Sequence, residues 1–204
     1  MADTLFDTSF CKVLALLVLK NDGSRVYSKY YLKICPKATL EVAQGNLSDF
    51  EVQKDFEKAL VEKSRKLTSS KTISASENEI FTYGQFNVVF KNLGDILFFV
   101  LGDPEENELV LTQLLSTFYE AMNYFTKNQT NKKAIMDNFD NVMLIIDELV
   151  DEGIIMTLDS VTVIARVTMK DTEFINIAQT DSSFSSAFTS AKSSIAKSLN
   201  LGKQ

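Results

Sequence analysis

The sequence of 204 residues contains no histidine and no tryptophan, and only two cysteines and two prolines. Without histidine, the chain lacks the side chain that most often acts as a general base near neutral pH and the commonest zinc ligand. No P-loop, nucleophile elbow or glycine-rich phosphate-binding motif occurs in it. These absences exclude most familiar catalytic sites, and we expect no catalytic residues, no bound metal ion and no cofactor.

Long apolar segments are also absent. The longest apolar run, "VLALLVL" at 13–19, has the length of a strand, whereas a membrane-spanning helix needs about 20 residues. The first residues, "MADTLFDTSF", show no basic segment and no cleavage site of a signal peptide. We therefore expect a cytoplasmic protein without direct membrane insertion, in which Cys11 and Cys35 are reduced.

The sequence contains fewer basic than acidic residues. Lysine and arginine number 21 against 27 acidic residues, which gives a net charge of −6 and an isoelectric point near 4.8. Nucleic-acid binding and adhesion to anionic lipid both rely on clustered basic side chains. The charge balance therefore argues against a nucleic-acid partner.

The first third of the chain has the pattern of a hairpin followed by a helix. Residues 10–19 form a nearly continuous apolar run, as in a strand covered on both faces. The turn sequence "NDGS" at 21–24 and the tyrosine-rich "RVYSKYY" predict a second, antiparallel strand. After a loop, Ser48 and Glu51 have capping-box spacing, which predicts a first helix at about 48–66.

The middle third predicts three strands and a helix. β-Branched and aromatic residues between 80 and 102 are interrupted at Gly84 and near 92–95, which indicates three strands in meander order. Asp103, Pro104 and Glu106 have the spacing of N-cap, N1 and N3 residues, which predicts that the second helix begins there. Its buried stripe is formed by Leu111, Leu114, Leu115, Phe118, Met122 and Phe125.

A third helix is predicted from about Lys132 to a stop at Gly153. Its apolar face contains Ile135, Phe139, Val142, Met143, Ile146, Leu149 and Val150. The following "IIMTLD" has an extended pattern, and the segment from Ser160 fits either a strand or a short helix.

Four carboxylates crowd the end of the third helix, in "IIDELVDEG" at 145–153. On a helix, Asp147 and Asp151 form one repelling i,i+4 pair, and Glu148 and Glu152 form another. Adjacent residues of a helix diverge too far to surround a metal ion, and no catalytic companions are present. Two interpretations remain open: a solvated face, or an acidic patch that meets a basic partner.

The tyrosines of the second strand are equally ambiguous, because Tyr packs in cores and also anchors partners. Core or edge packing is the favoured interpretation. As a hypothesis for a partner interface we take Tyr30 and Tyr31 together with Asp151 and Glu152.

The last residues form a serine-rich tail that still has helical periodicity. Serine is a poor helix former, so a helix here needs a surface to pack on. We divide the chain into an N-terminal extension (1–9), an α/β domain (10–170) and a tail with an amphipathic helix (171–204). The apolar stripe of the tail consists of Phe184, Phe188, Ala191, Ile195 and Leu199, and its polar face carries Lys192 and Lys197.

Three segments, in order, resemble the coatomer zeta-subunit family, which is related to the small chains of clathrin adaptors. They are "LLVLKNDGSRVYSKYY" at 16–31, "FFVLGDPEENELVLTQLL" at 98–115 and "IIDELVDEGIIMTLDS" at 145–160. The resemblance covers about residues 10 to 170. It implies a longin-like α/β fold, in the order β-β-α-β-β-β-α-α, with a five-stranded, mainly antiparallel sheet flanked by helices. The longer loop at 33–47 and the tail depart from the family pattern.

The resemblance also implies a function. It suggests a noncatalytic small subunit of the COPI coat, which binds the helical-repeat gamma subunit and through it the rest of the coat and a small GTPase. It further implies peripheral association with Golgi membranes and COPI vesicles, in Golgi-to-ER and intra-Golgi transport. The alternatives are a sigma-type clathrin-adaptor subunit or a free-standing longin regulator of a small GTPase. Only Arg25 is basic at the first hairpin turn, so the cargo site of sigma subunits is not expected.

Overall fold

A computed structural model describes residues 13–32, 41–42, 45–70, 77–129 and 131–169. Its strands are β1 (Val13–Lys20), β2 (Arg25–Tyr30), β3 (Glu41–Val42), β4 (Gly45–Asn46), β5 (Glu79–Tyr83), β6 (Phe86–Asn92), β7 (Ile96–Gly102), β8 (Val150–Asp151) and β9 (Ile154–Ile155). Its helices are α1 (Phe50–Ser70), α2 (Glu108–Thr126), α3 (Lys132–Asp137), α4 (Phe139–Leu149) and α5 (Ser160–Thr168). The predicted order of main elements is confirmed, with two small hairpins added.

Five strands form one antiparallel sheet in the order β2-β1-β7-β6-β5. The predicted hairpin between β1 and β2 is present, and Gly23 in its turn has φ +80°, a conformation that glycine adopts without strain. A Cβ at this position would also lie 3.0 Å from Cγ of Lys58 on α1. The turn is therefore held close to the first helix.

The centre of the sheet is covered on both faces, since every residue of β7 is buried. Successive side chains of a strand point to opposite faces. Ile96, Phe98 and Val100 accordingly pack with α2, α4 and α5, whereas Leu97, Phe99 and Leu101 pack with α1. The two layers explain why the central strands are continuous apolar runs rather than alternating ones.

The first helix begins two residues later than predicted. The Asp49 carboxylate accepts a hydrogen bond from the Glu51 backbone N–H (2.9 Å), and the helix starts at Phe50. Ser48 instead donates its own N–H to the side chain of Asn46 (2.8 Å). Asp is as good a cap as Ser, and here it displaces the predicted capping box.

The predicted start of the second helix is wrong by about four residues. Asp103 accepts from the backbone N–H groups of Glu105 and Glu106, which closes a turn and not a helix. The helix begins at Glu108, and its cap is Asn107, whose side chain accepts from the Leu109 N–H (2.9 Å). Asp103 and Asn107 are equally suitable N-cap residues, and the helix begins after the second of them.

The predicted third helix is two helices, and its predicted end is wrong. Asn138 interrupts it between α3 and α4. The helix ends at Leu149, because Val150 and Asp151 pair with Ile155 and Ile154 in a hairpin. In the ambiguous segment from Ser160, the helical alternative is the one observed, capped by Asp159, whose carboxylate accepts from the N–H groups of Val161 and Thr162.

Several predictions fall outside the described residues. They concern the N-terminal extension, Cys11 and Cys35, most of the 33–47 loop, and the helical tail of residues 171–204. The division of the chain into these three parts therefore stays a prediction.

Candidate partner-binding site

Strand β2 lies at one edge of the sheet and brings the predicted tyrosines to two different places. Its residues are all half-buried, so both of its faces are covered. Tyr27 and Lys29 face α4, Tyr31 directly after the strand faces Val150 at the end of α4, and Arg25 and Tyr30 face α1. The two neighbouring tyrosines therefore cannot act as one exposed anchor.

The face of β2 toward α4 is held by an aromatic contact and an ion pair. The rings of Tyr27 and Phe139 meet edge to face, with 5.9 Å between their centroids. The Lys29 ammonium pairs with the Asp147 carboxylate and lies 5.3 Å from the centroid of the Tyr31 ring. Because both charged side chains are substantially exposed, we expect this pair to contribute at most about 1 kcal/mol.

Tyr31 belongs to the core, with 5% of its surface exposed. Its hydroxyl donates to the backbone carbonyl of Val150 (3.2 Å). Burial, and secondly the neighbouring Tyr27, raise the pKa of the Tyr31 phenol well above its ordinary range, and the carboxylates of Asp151 and Glu152 act in the same direction. Tyr31 is therefore close to Asp151 and Glu152, but it is buried and is not itself available to a partner.

Tyr30 takes part in a buried network with α1. The side chain of Glu57 is 1% exposed, and its carboxylate accepts from the Tyr30 hydroxyl (2.8 Å) and from the Arg25 guanidinium (2.6 and 2.9 Å). Burial first, and the Glu57 charge second, raise the pKa of the Tyr30 phenol. Arg25 also donates to the Gln53 side chain (3.1 Å), so the basic residue that follows the turn sequence "NDGS" is engaged inside the subunit.

Asp151 and Glu152 do lie at the surface, but not on a helix. Glu152 and Gly153 have φ values of +44° and +84° and form the two-residue turn between β8 and β9. The Gly153 carbonyl accepts from the Val13 N–H (2.8 Å), which fixes this turn at the start of β1. The predicted i,i+4 repulsion with Asp147 and Glu148 is therefore wrong, because the helix ends before Asp151.

The four predicted interface residues are thus divided between two surroundings. Asp151 and Glu152 are exposed together at the β8–β9 turn, with Tyr31 buried next to them. Tyr30 lies on the opposite face of the sheet, against Glu57. The structure brings three of the four together, and their contact with a partner stays a prediction.

An exposed apolar stripe on α3 and α4 was not predicted. Met136, Met143 and Leu144 are 48%, 39% and 48% exposed. Met143 was assigned to the buried face, and this is wrong, since Ile145 is buried in its place. The spacing of Ile135, Val142, Ile146 and Leu149 already defines the buried face and could have revealed that the stripe lies opposite.

The described ranges contain no group of three or more Cys, Asp or Glu residues arranged to hold a metal ion. A cleft beside the first hairpin turn is lined by Asn21, Val61, Arg65, Thr68, Asn92 and Leu97, and this lining contains no carboxylate. Among all the residues that the structure describes, no helix is both long enough and apolar enough to span a membrane.

Comparison with known proteins assigns the class. The family model described as "Clathrin adaptor complex small chain" matches residues 12–174, about four-fifths of the sequence. The chain therefore belongs to this family of small chains. Among solved assemblies, a structure titled as a homology model of the full-length AP-3 complex contains a chain with the same fold, at 18% identity and a TM-score of 0.51, covering 77% of this chain and 92% of that one.

Within the family, the chain is similar to coatomer zeta subunits, which confirms the resemblance seen in the sequence. It is 34% identical to coatomer subunit zeta-3 of Oryza sativa, over 90% of this chain and 94% of the relative. Coatomer subunit zeta of Saccharomyces cerevisiae is 33% identical over 95% and 97%, and human coatomer subunit zeta-1 is 29% identical over 98% and 99%.

Proposed function

We propose that this chain is a noncatalytic small subunit of the COPI coat, which binds the large gamma subunit and supports Golgi-to-ER and intra-Golgi vesicle transport. The observation that carries the proposal is the coverage of its coatomer relatives, which it matches over nearly their whole length. Through the gamma subunit it would reach the rest of the coat and a small GTPase, in the cytoplasm and on Golgi membranes.

The exposed part of the interface that we propose is the β8–β9 turn. Asp151 and Glu152 are exposed on a turn fixed to β1, with Tyr31 buried beneath it. A turn held in one conformation costs little entropy to order when a partner binds. Acidic side chains there favour a basic patch on the large subunit.

Affinity capture tests the assignment. The full chain, tagged and expressed in cells, should copurify with a coat large subunit of the gamma type and with other coatomer chains, identified by mass spectrometry. Capture of a clathrin-adaptor large chain instead would favour the sigma-type alternative. Accelerated nucleotide release from a small GTPase by the chain alone would favour a longin regulator.

Charge reversal tests the proposed contact. D151K/E152K should weaken capture of the large subunit by about tenfold, equivalent to about 1.4 kcal/mol. The matched control is E105K/E120K, which makes the same change in net charge at two other exposed positions. Equal capture by both variants would show that Asp151 and Glu152 only face solvent.

A further inference from the structure

The outer face of α3 and α4 combines apolar and acidic side chains. Exposed Met136, Met143 and Leu144 alternate along it with exposed Asp140 and Asp147. At about 100° per residue, the four positions on α4 fall within about 100° of one another around that helix, and Met136 lies on α3, just before the break at Asn138. We call this set of five residues the outer stripe.

The charge at the outer stripe is predominantly negative. Asp147 is paired with Lys29, whereas neither Asp137 at the margin nor Asp140 has a cationic partner among the described residues. Glu148, on the side toward α5, pairs with Arg166. Lys132 and Lys133, the lysines of α3, are confined to its first turn.

Such a face has the chemistry that binds an amphipathic helix with basic flanks. Methionine is flexible and polarisable, and it is frequent on surfaces that accept helices of varied sequence. The carboxylates at the margin would select lysine or arginine beside the apolar residues of the incoming helix.

The tail of this chain has the complementary sequence. Between residues 182 and 204 it carries three lysines and no acidic residue. On a helical projection, Lys192 and Lys203 lie along one margin of the apolar stripe centred on Phe188 and Ile195, and Lys197 lies on the opposite side of the segment. Serine is a poor helix former, so a helix formed by this sequence would need a surface to become stable.

Geometry permits the tail to reach this face. Helix α5 packs on α4, and its last turn lies beside α4 through the Arg166–Glu148 pair. From Met169 to Phe184 there are 15 residues, enough for up to about 50 Å, whereas α4 itself is about 16 Å long. We propose that the C-terminal amphipathic segment, residues 184–203, docks as a helix on the outer stripe of its own subunit.

Methionine oxidation tests the docking in the full chain. Met136 and Met143 belong to the outer stripe, whereas Met156, at 55% exposure, lies outside it and serves as an internal reference. A tail docked for about three-quarters of the time would slow peroxide oxidation of Met136 and Met143 about fourfold relative to Met156. Mass spectrometry of peptides during a short peroxide exposure gives the three rates.

Two tail variants separate docking from other causes of protection. F188D/I195D places two charges in the apolar stripe and should raise the oxidation rates of Met136 and Met143 to that of Met156. S186D/S193D adds the same charge on the other side of the segment and should retain most of the protection.

The other outcomes overturn the proposal. Oxidation of Met136 and Met143 in the unmodified chain as fast as that of Met156 would exclude a docked tail. Protection that persists in F188D/I195D and grows with protein concentration would instead assign the face to a second copy of the chain. Protection that appears only after a large coat subunit is added would assign it to that subunit. The proposal does not depend on the coat function.

Discussion

Two ion pairs fasten the edge strand β2, and they differ mainly in their surroundings. On one face, Arg25 pairs with Glu57, whose side chain is 1% exposed and also accepts from Tyr30. On the other face, Lys29 pairs with Asp147, whose side chain is 56% exposed. Water can replace either partner of the second pair at little cost, but it cannot readily reach the carboxylate of the first.

We therefore expect burial, and not chemical type, to decide how strongly each pair holds the strand. A buried pair is not necessarily stabilising relative to apolar residues, but breaking it leaves a charge without solvation. The α1 side of β2 should therefore be sensitive to single substitutions, and the α4 side should be tolerant.

The largest effect is expected from Arg25→Ala. It leaves the Glu57 carboxylate buried with only Tyr30 as a donor among the partners described above, and we expect a loss of about 3–5 kcal/mol in the free energy of unfolding. Urea unfolding followed by circular dichroism measures it. The control is Lys58→Ala, which breaks an exposed pair with Asp55 and should cost less than about 0.5 kcal/mol.

A double substitution distinguishes a lost charge partner from lost packing. R25M/E57M removes both charges and keeps much of the apolar volume, so it should be less destabilising than Arg25→Ala alone. If the double variant is the less stable of the two, the buried pair contributes specific stabilisation and our explanation of the first effect fails.

High pH should reduce stability through both buried tyrosines. Burial raises the pKa of Tyr30 and Tyr31 in the folded state, so above pH 10 the unfolded chain loses these protons first. Stability from the two groups is complete below pH 10 and falls by about 1.4 kcal/mol per pH unit for each above it.

Unfolding measured from pH 9 to 11.5 checks this direction. Tyr31→Phe removes one of the two groups and should make the alkaline decline shallower. An identical slope in Tyr31→Phe would mean that another group is responsible.

A smaller loss is expected from Tyr30→Phe at neutral pH. The substitution keeps the ring and removes the hydroxyl that donates to Glu57 (2.8 Å), and a hydrogen bond to a buried charged group is worth about 1.5–3 kcal/mol. Arg25 still satisfies the carboxylate, so we expect the lower end of this range. Chemical denaturation of both proteins gives the difference, and a change below about 0.5 kcal/mol would show that Arg25 alone suffices.

Much of the fold followed from the sequence, because its signals are local. The turn at Gly23, the meander of β5 to β7 and the stripe of α2 depend on residues that are neighbours in the chain. The helix ends were less accurate. Asp103 competes with Asn107 as the N-cap of α2, and the turn at Glu152–Gly153 competes with continuation of α4. Such choices depend on tertiary contacts, for example the hydrogen bond from the Val13 N–H to the Gly153 carbonyl.

The site was less predictable than the fold. Lys29 and Asp147 are 118 residues apart, and Arg25 and Glu57 are 32 apart, so nothing local pairs them. The assignment of Tyr30 and Tyr31 to one interface overlooked the alternation of a strand, which sends neighbouring side chains to opposite faces. Asp151 and Glu152 were placed at the surface correctly, but on the wrong element.

The smallest effect is expected from Asp147→Ala, which breaks the exposed pair. Lys29 remains hydrated and still lies near the Tyr31 ring, so the free energy of unfolding should fall by no more than about 1 kcal/mol. Raising the salt concentration to 1 M shortens the Debye length to about 3 Å and should erase most of this difference, while the cost of Arg25→Ala should persist. Denaturation of both variants at low and high salt makes the measurement. A loss from Asp147→Ala that equals that of Arg25→Ala and resists salt would refute the contrast between the two faces of β2.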